Sequence, residues 1–149
     1  MTEFPPALNG ILEDFSFITD RNERAEYLIE IADRFDGVKV PHTIAAPPYS
    51  AENHVMYCES DAYVWAVDRE DGTQQYYFDV LNPQGLSAMA MGVILGEALS
   101  GQPLEQVANV PTDIMYKIFG REISMGKGQG LIGIIAMVRQ AAQRKLDAG

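Results

Sequence analysis

Cysteine is nearly absent from this chain: Cys58 is the only one among 149 residues, beside two histidines and a single tryptophan. One thiol excludes an internal disulfide, and in a reducing compartment it stays free for either packing or chemistry. One cysteine with His42 and His54 also falls short of the roughly four ligands of a structural zinc site or the several thiolates of an iron-sulfur cluster, and their spacing matches no compact metal motif. Cations are scarce too. Eleven Lys and Arg face 21 Asp and Glu, for a net charge of -10 and a pI near 4.5. Such a balance argues against nucleic acid, whose phosphates attract clustered basic residues. Long apolar runs are missing as well. The most apolar stretch, Leu86 to Leu99, is broken by Gly92, Gly96 and Glu97, and falls short of the roughly 20 residues that span a bilayer. No basic-then-apolar leader opens the chain. The expected location is the cytoplasm, with no membrane partner.

What is present suffices for one domain over residues 1 to 149. With 47% hydrophobic residues, a chain of this length buries roughly 70% of the surface its unfolded form exposes. Leu8, Ile11, Leu12 and Phe15 repeat at helical spacing after Pro5-Pro6 and predict a first helix. Asp20 and Glu23 fit a capping box ahead of a second helix over 21 to 35, with Leu28, Ile31, Ala32 and Phe35 on one face and Gly37 as its stop. Residues 38 to 52, with Pro41, Pro47 and Pro48, predict an extended surface connection.

From Ala62 the period changes to two. Tyr63, Trp65 and Val67 alternate with Ala62, Val64 and Ala66 in a strand, and Trp65 is assigned to the core. Asp71-Gly72 predicts a tight primed turn leading into a strand over 75 to 81, with residues 55 to 57 as a third strand. Leu86 to Leu99, apolar on nearly every side, predicts a core helix. Pro103 opens a short helix to about Ala108, Thr112 caps another ending near Gly120, and the last helix starts within "GKGQG", residues 126 to 130. Its stripe is Leu131, Ile134, Ile135, Val138, Ala142 and Leu146. Helices, then a small antiparallel sheet of about three strands, then helices define an α+β fold.

Three stretches invite a chemical reading. "GKGQG" is no phosphate loop, because Lys127 is followed by Gly128 and no strand precedes it. It reads as a flexible glycine-rich helix start, or as an anion pocket of free helix amides and the Lys127 ammonium. Cys/His hydrolysis with His54 or His42 as base lacks any mark of an oxyanion hole. Cys58, between the proline-rich connection and a strand, is either inert packing or a nucleophile. The second role needs thiolate support and access.

The run Asn53-His54-Val55-Met56-Tyr57-Cys58-Glu59-Ser60, followed by Val64-Trp65, resembles the signature of the SufE family, approximately N-x-[IV]-x-G-C-x-S followed by V-W. Asn53, Val55, Cys58, Ser60, Val64 and Trp65 match it. The order of elements agrees over roughly residues 8 to 146, including Gln129-Gly130-Leu131 at the last helix. Tyr57 stands where the family commonly has glycine, and the interval from Cys58 to Trp65 is longer than in familiar members. Lys127 occupies about the place of a basic residue, often arginine, in relatives.

The resemblance implies a SufE/IscU-like fold and a role as sulfur acceptor in iron-sulfur cluster assembly. Cys58 would take persulfide sulfur from a SufS-type cysteine desulfurase and pass it to an iron-sulfur scaffold complex. Lys127 would stabilise the thiolate or persulfide, with Asn53 and Ser60 supporting the loop. No cofactor is expected on this chain, since the pyridoxal phosphate belongs to the partner desulfurase. A carrier of this kind is a covalent persulfide relay rather than a free-standing enzyme. An alternative is a non-catalytic protein that activates the desulfurase without carrying sulfur; a cluster scaffold is disfavoured by the ligand count.

Overall fold

The computed structural model of the chain describes residues 4 to 56 and 58 to 149. Among them are six α-helices and a two-stranded antiparallel sheet, an α+β arrangement: α1 (Pro6–Ser16), α2 (Arg21–Ala32), β1 (Ala62–Asp68), β2 (Gln74–Val80), α3 (Leu86–Leu99), α4 (Leu104–Ala108), α5 (Ile114–Phe119) and α6 (Met125–Ala148). At the centre lies α3, packed against α1, α2, β2 and α6. Ten of its fourteen residues are buried. Two of those are glycines that let neighbours come close. A Cβ on Gly92 would stand 3.2 Å from the Phe78 ring, and one on Gly96 would stand 2.6 Å from Val38 Cγ1. The glycines that interrupt the apolar run are therefore where the sheet meets the helix.

The strands pair from Ala62 opposite Val80 to Asp68 opposite Gln74. This register puts Ala62, Val64, Tyr76, Phe78 and Val80 into the main core, while Tyr63, Trp65 and Asp79 share the other face. Trp65 is buried on that second face, in edge-on contact with Tyr49 at 4.7 Å, so the proline-rich connection is its cover. Tyr49 also donates a 2.6 Å hydrogen bond to the buried Asp79 carboxylate.

Several boundaries differ from the sequence reading. The second helix stops at Ala32, and Phe35 sits in a separate 3-10 turn, Phe35–Gly37, where its ring meets α3 near Gly92. Asp20 caps α2 through the Asn22 N–H at 3.2 Å. Residues 38 to 40 are not a surface connection. Val40 N–H donates to Phe78 O, and Phe78 N–H to Val38 O, both at 2.9 Å, which adds a parallel bridge along β2. On the far edge the expected third strand reduces to a bridge between His54 and Tyr63 with Val55 N–H donating to Ala62 O; its end, Tyr57, lies outside the described residues.

The hairpin turn is not the primed type. Only Gly72 has positive φ, at +87°, and Arg69 N–H donates to Thr73 O across a three-residue loop, as in a turn completed by a left-handed glycine. Thr112 contributes a carbonyl to Met115 N–H, and Asp113 holds the cap position of α5. The last helix begins before the glycine run: Ser124 is its N-cap, and its hydroxyl accepts the Lys127 N–H at 3.3 Å.

Candidate functional site

Cys58 opens a turn that is tied down from three directions. Asp61 N–H donates to Cys58 O at 3.2 Å, closing residues 58 to 61. The backbone then passes through Asp61 at φ +56°, the one left-handed residue other than glycine among those described. Aspartate is among the few side chains that adopt this conformation readily. His54 holds it there, with Nε2 at 2.8 Å from Asp61 Oδ1 and the imidazole against the Tyr63 ring at 4.8 Å. The segment after β2 forms the floor: Leu81 N–H donates to Asp61 O at 3.1 Å and Asn82 N–H to Ser60 O at 3.2 Å.

The third tie is α6. A Cβ on Gly130 would fall 3.0 Å from Cys58 Cα and 3.1 Å from its Sγ, and one on Gly133 would fall 2.8 Å from Val55 Cγ1. Glycine at both positions seats the cysteine segment directly on the helix backbone. Gly85, packed against Ser60 Cβ, does the same from below.

A cavity of about 30 Å³ lies beside the half-buried thiol. Cys58, Ser60, Ser87, Lys127 and Gly130 are among the residues that line it. Lys127 is thus brought to Cys58 across 69 residues of sequence, the difference between their numbers. Gly126 and Lys127, in the first turn of the 24-residue α6, are on the same lining, so the partial positive charge of that helix end lies near the ammonium. Glu59 is the one carboxylate on the lining. Ser60 reaches the floor through its carbonyl. Asn53 stands apart from the cavity: its Nδ2 donates to Val64 O at 2.9 Å and fastens the 3-10 turn Ala51–Asn53 to β1. His54 is engaged with Asp61, and His42 is exposed. Among the described residues no three His, Cys, Asp or Glu side chains converge as metal ligands.

Asp61, Gly85, Ser87 and Gly133 are not singled out as site residues by the sequence reading, and Gly130 is read there only as part of the last helix's start, not as the seat of the cysteine turn. Asp61 carried a faint signal, being a residue type tolerant of positive φ at the entrance to a strand. The glycines of "GKGQG" carried a misleading one, since glycine lowers helix propensity by about 1 kcal/mol relative to alanine.

The family model described as "SufE: Fe-S metabolism associated domain" matches residues 9–142. This chain belongs to the SufE family. Its membership places it in iron-sulfur metabolism. It is 25% identical to an uncharacterised SufE-like protein of Rhizobium etli over 149 residues, covering 97% of this chain and 95% of that one. It is also similar to the solution structure of a hypothetical protein from Thermus thermophilus, with a TM-score of 0.70 and 25% identity, over 97% of this chain and 99% of that one. The SufE resemblance read around Cys58 thus extends to the whole architecture.

Proposed function

We propose that this SufE-family protein is a sulfur acceptor and carrier, taking sulfane sulfur from a cysteine desulfurase onto Cys58 in the cytoplasm and handing it to an iron-sulfur scaffold. The observation that carries the reading is the small cavity shared by Cys58 and Lys127. Its 30 Å³ exceeds the roughly 10–15 Å³ that one water needs, so one extra sulfur atom fits beside the thiol. A cluster scaffold would need several thiolates; a relay needs one.

In the first step the Cys58 thiolate attacks the outer sulfur of the donor persulfide. A new S–S bond forms on Cys58, the donor's S–S bond breaks, and the donor cysteine leaves as a thiolate with the electron pair. Lys127 and the α6 amides favour the anionic sulfur before and after transfer. In the second step a scaffold thiolate attacks the outer sulfur of the Cys58 persulfide, and Cys58 leaves as the thiolate. With no second cysteine in the chain, the persulfide cannot be lost to an internal disulfide. Half-burial protects it in transit, and the turn swings outward for each exchange. Exposed apolar side chains stand around it for docking: Met56 is 67% and Met125 81% exposed.

Intact mass after incubation with an active desulfurase and cysteine tests the reading. A gain of about 32 Da per sulfur, absent from Cys58→Ser, is the expected result. No gain with a working donor would sink it. If Cys58→Ser still stimulates sulfide release fully, the protein is an activator instead.

A further inference from the structure

Beside the cysteine cavity lies a larger cleft of about 760 Å³, between the start of α2 and the segment joining α5 to α6, and the two share Ser87 and Lys127. Its lining reverses the charge of the molecule. Arg21, Arg24, Arg121 and Lys127 border it, against Glu122 as its only carboxylate. Four of the chain's eleven cations and one of its 21 acids meet there, a local charge of +3 on a protein of net charge -10.

The cations are held in different ways. Arg24 is fixed, its guanidinium donating to the carbonyls of Ile18, Lys117 and Ile118 at 2.8–3.2 Å. No carboxylate neutralises it among the described residues, so its charge is positioned in advance. Arg121 lies over the Tyr116 ring at 5.5 Å and is likewise unpaired among the described residues. Arg21 has only a 3.6 Å contact with Glu122, both side chains being about four-fifths exposed, a pairing that exchanges readily for another carboxylate. Leu28 and Phe119 add apolar wall between the charges. Guanidinium forks suit carboxylates in particular.

We infer that this cleft docks an acidic segment of the persulfide donor, one carrying Asp or Glu side chains around an apolar residue. Lys127, common to both spaces, places the bound segment next to the Cys58 turn. The remaining acidic surface repels the same segment, which confines an acidic partner to this approach. The identity of the partner rests on the acceptor reading above; the chemistry of the cleft does not.

The test is the Kd for the cysteine desulfurase of the same organism, by calorimetry at low and high salt, for wild type, Cys58→Ser and Arg21→Glu/Arg121→Glu. Charge reversal is expected to weaken binding about tenfold or more and to flatten its salt dependence, while Cys58→Ser binds as wild type does. Arg21→Gln/Arg121→Gln, with an unchanged thermal melt as its check, is expected to weaken binding less but in the same direction. Poly-glutamate peptide is expected to compete for the wild type. Reversal that leaves Kd within about twofold with the same salt dependence, a wild type that does not bind, or inorganic phosphate competing as well as poly-glutamate would each overturn the inference. A protein that gains no sulfur yet loses salt-dependent binding on reversal would refute acceptance and keep the docking.

Discussion

Gly130 is the residue on which the position of the thiol most directly depends. A methyl group there would come 3.0 Å from Cys58 Cα and 3.2 Å from its Cβ, tighter than ordinary carbon contacts of about 3.5–4.0 Å, so the turn must lift. Alanine also gains about 1 kcal/mol of helix propensity, which offsets the lost packing. Gly130→Ala is therefore expected to change stability by no more than about 1 kcal/mol and to make Cys58 react several-fold faster with iodoacetamide. Gly126→Ala is the control, because its Cβ would meet the end of the flexible Glu59 side chain; Cys58 reactivity should then stay as in wild type. Equal alkylation rates in all three proteins would show that the glycine does not seat the turn. At this scale Cys58 and Lys127 were legible because a motif marked them. Gly130 was marked too, as part of Gln129-Gly130-Leu131, but its role under the thiol was not legible, since a close approach depends on what lies opposite. Asp61 was not marked, since a positive φ depends on the ties that hold it.

Among the elements, those read well were the ones whose pattern is local. α3 runs from Leu86 to Leu99 as its apolar run predicts, and the stripe of α6 from Leu131 to Ala142 is buried. What periodicity missed were pairings decided by tertiary surroundings, such as the parallel bridge at Lys39 on the open edge of β2. The start of α6 is the instructive case. Its glycines argue against helix, yet burial of Gly128 and Gly130 and the Ser124 cap carry the helix through them. Removing that acceptor with Ser124→Ala should cost about 1 kcal/mol, or about 2–4 °C in Tm for a domain of this size. Ser124→Asp restores an acceptor and adds a charge favoured at a helix start, so its Tm should return toward wild type. Equal losses in the two variants would mean that the cap bond does not hold α6 in place.

The whole molecule already carries a charge of -10, and alkaline pH acts on it through tyrosines that the fold keeps neutral. Burial first, then the hydrogen bond and charge of Asp79, push the Tyr49 hydroxyl from 10.0 up to about 12. Burial and then Asp68 raise Tyr76 as well. Between about pH 10 and pH 12 the unfolded chain releases the Tyr49 proton while the folded protein keeps it. The native state then binds more protons than the unfolded one, so stability is full below this window and falls as pH rises through it. Tyr49 joins the proline-rich connection to β2 and Trp65, so this loss loosens the cover of one whole sheet face. Tyr49→Phe removes the titration and leaves the buried Asp79 without that donor. It should be less stable by about 1–3 kcal/mol at neutral pH, but should lose less between about pH 8 and about pH 11 than wild type does. Urea unfolding of both proteins at the two pH values measures this directly, and identical alkaline losses would place the sensitivity outside the Tyr49–Asp79 contact.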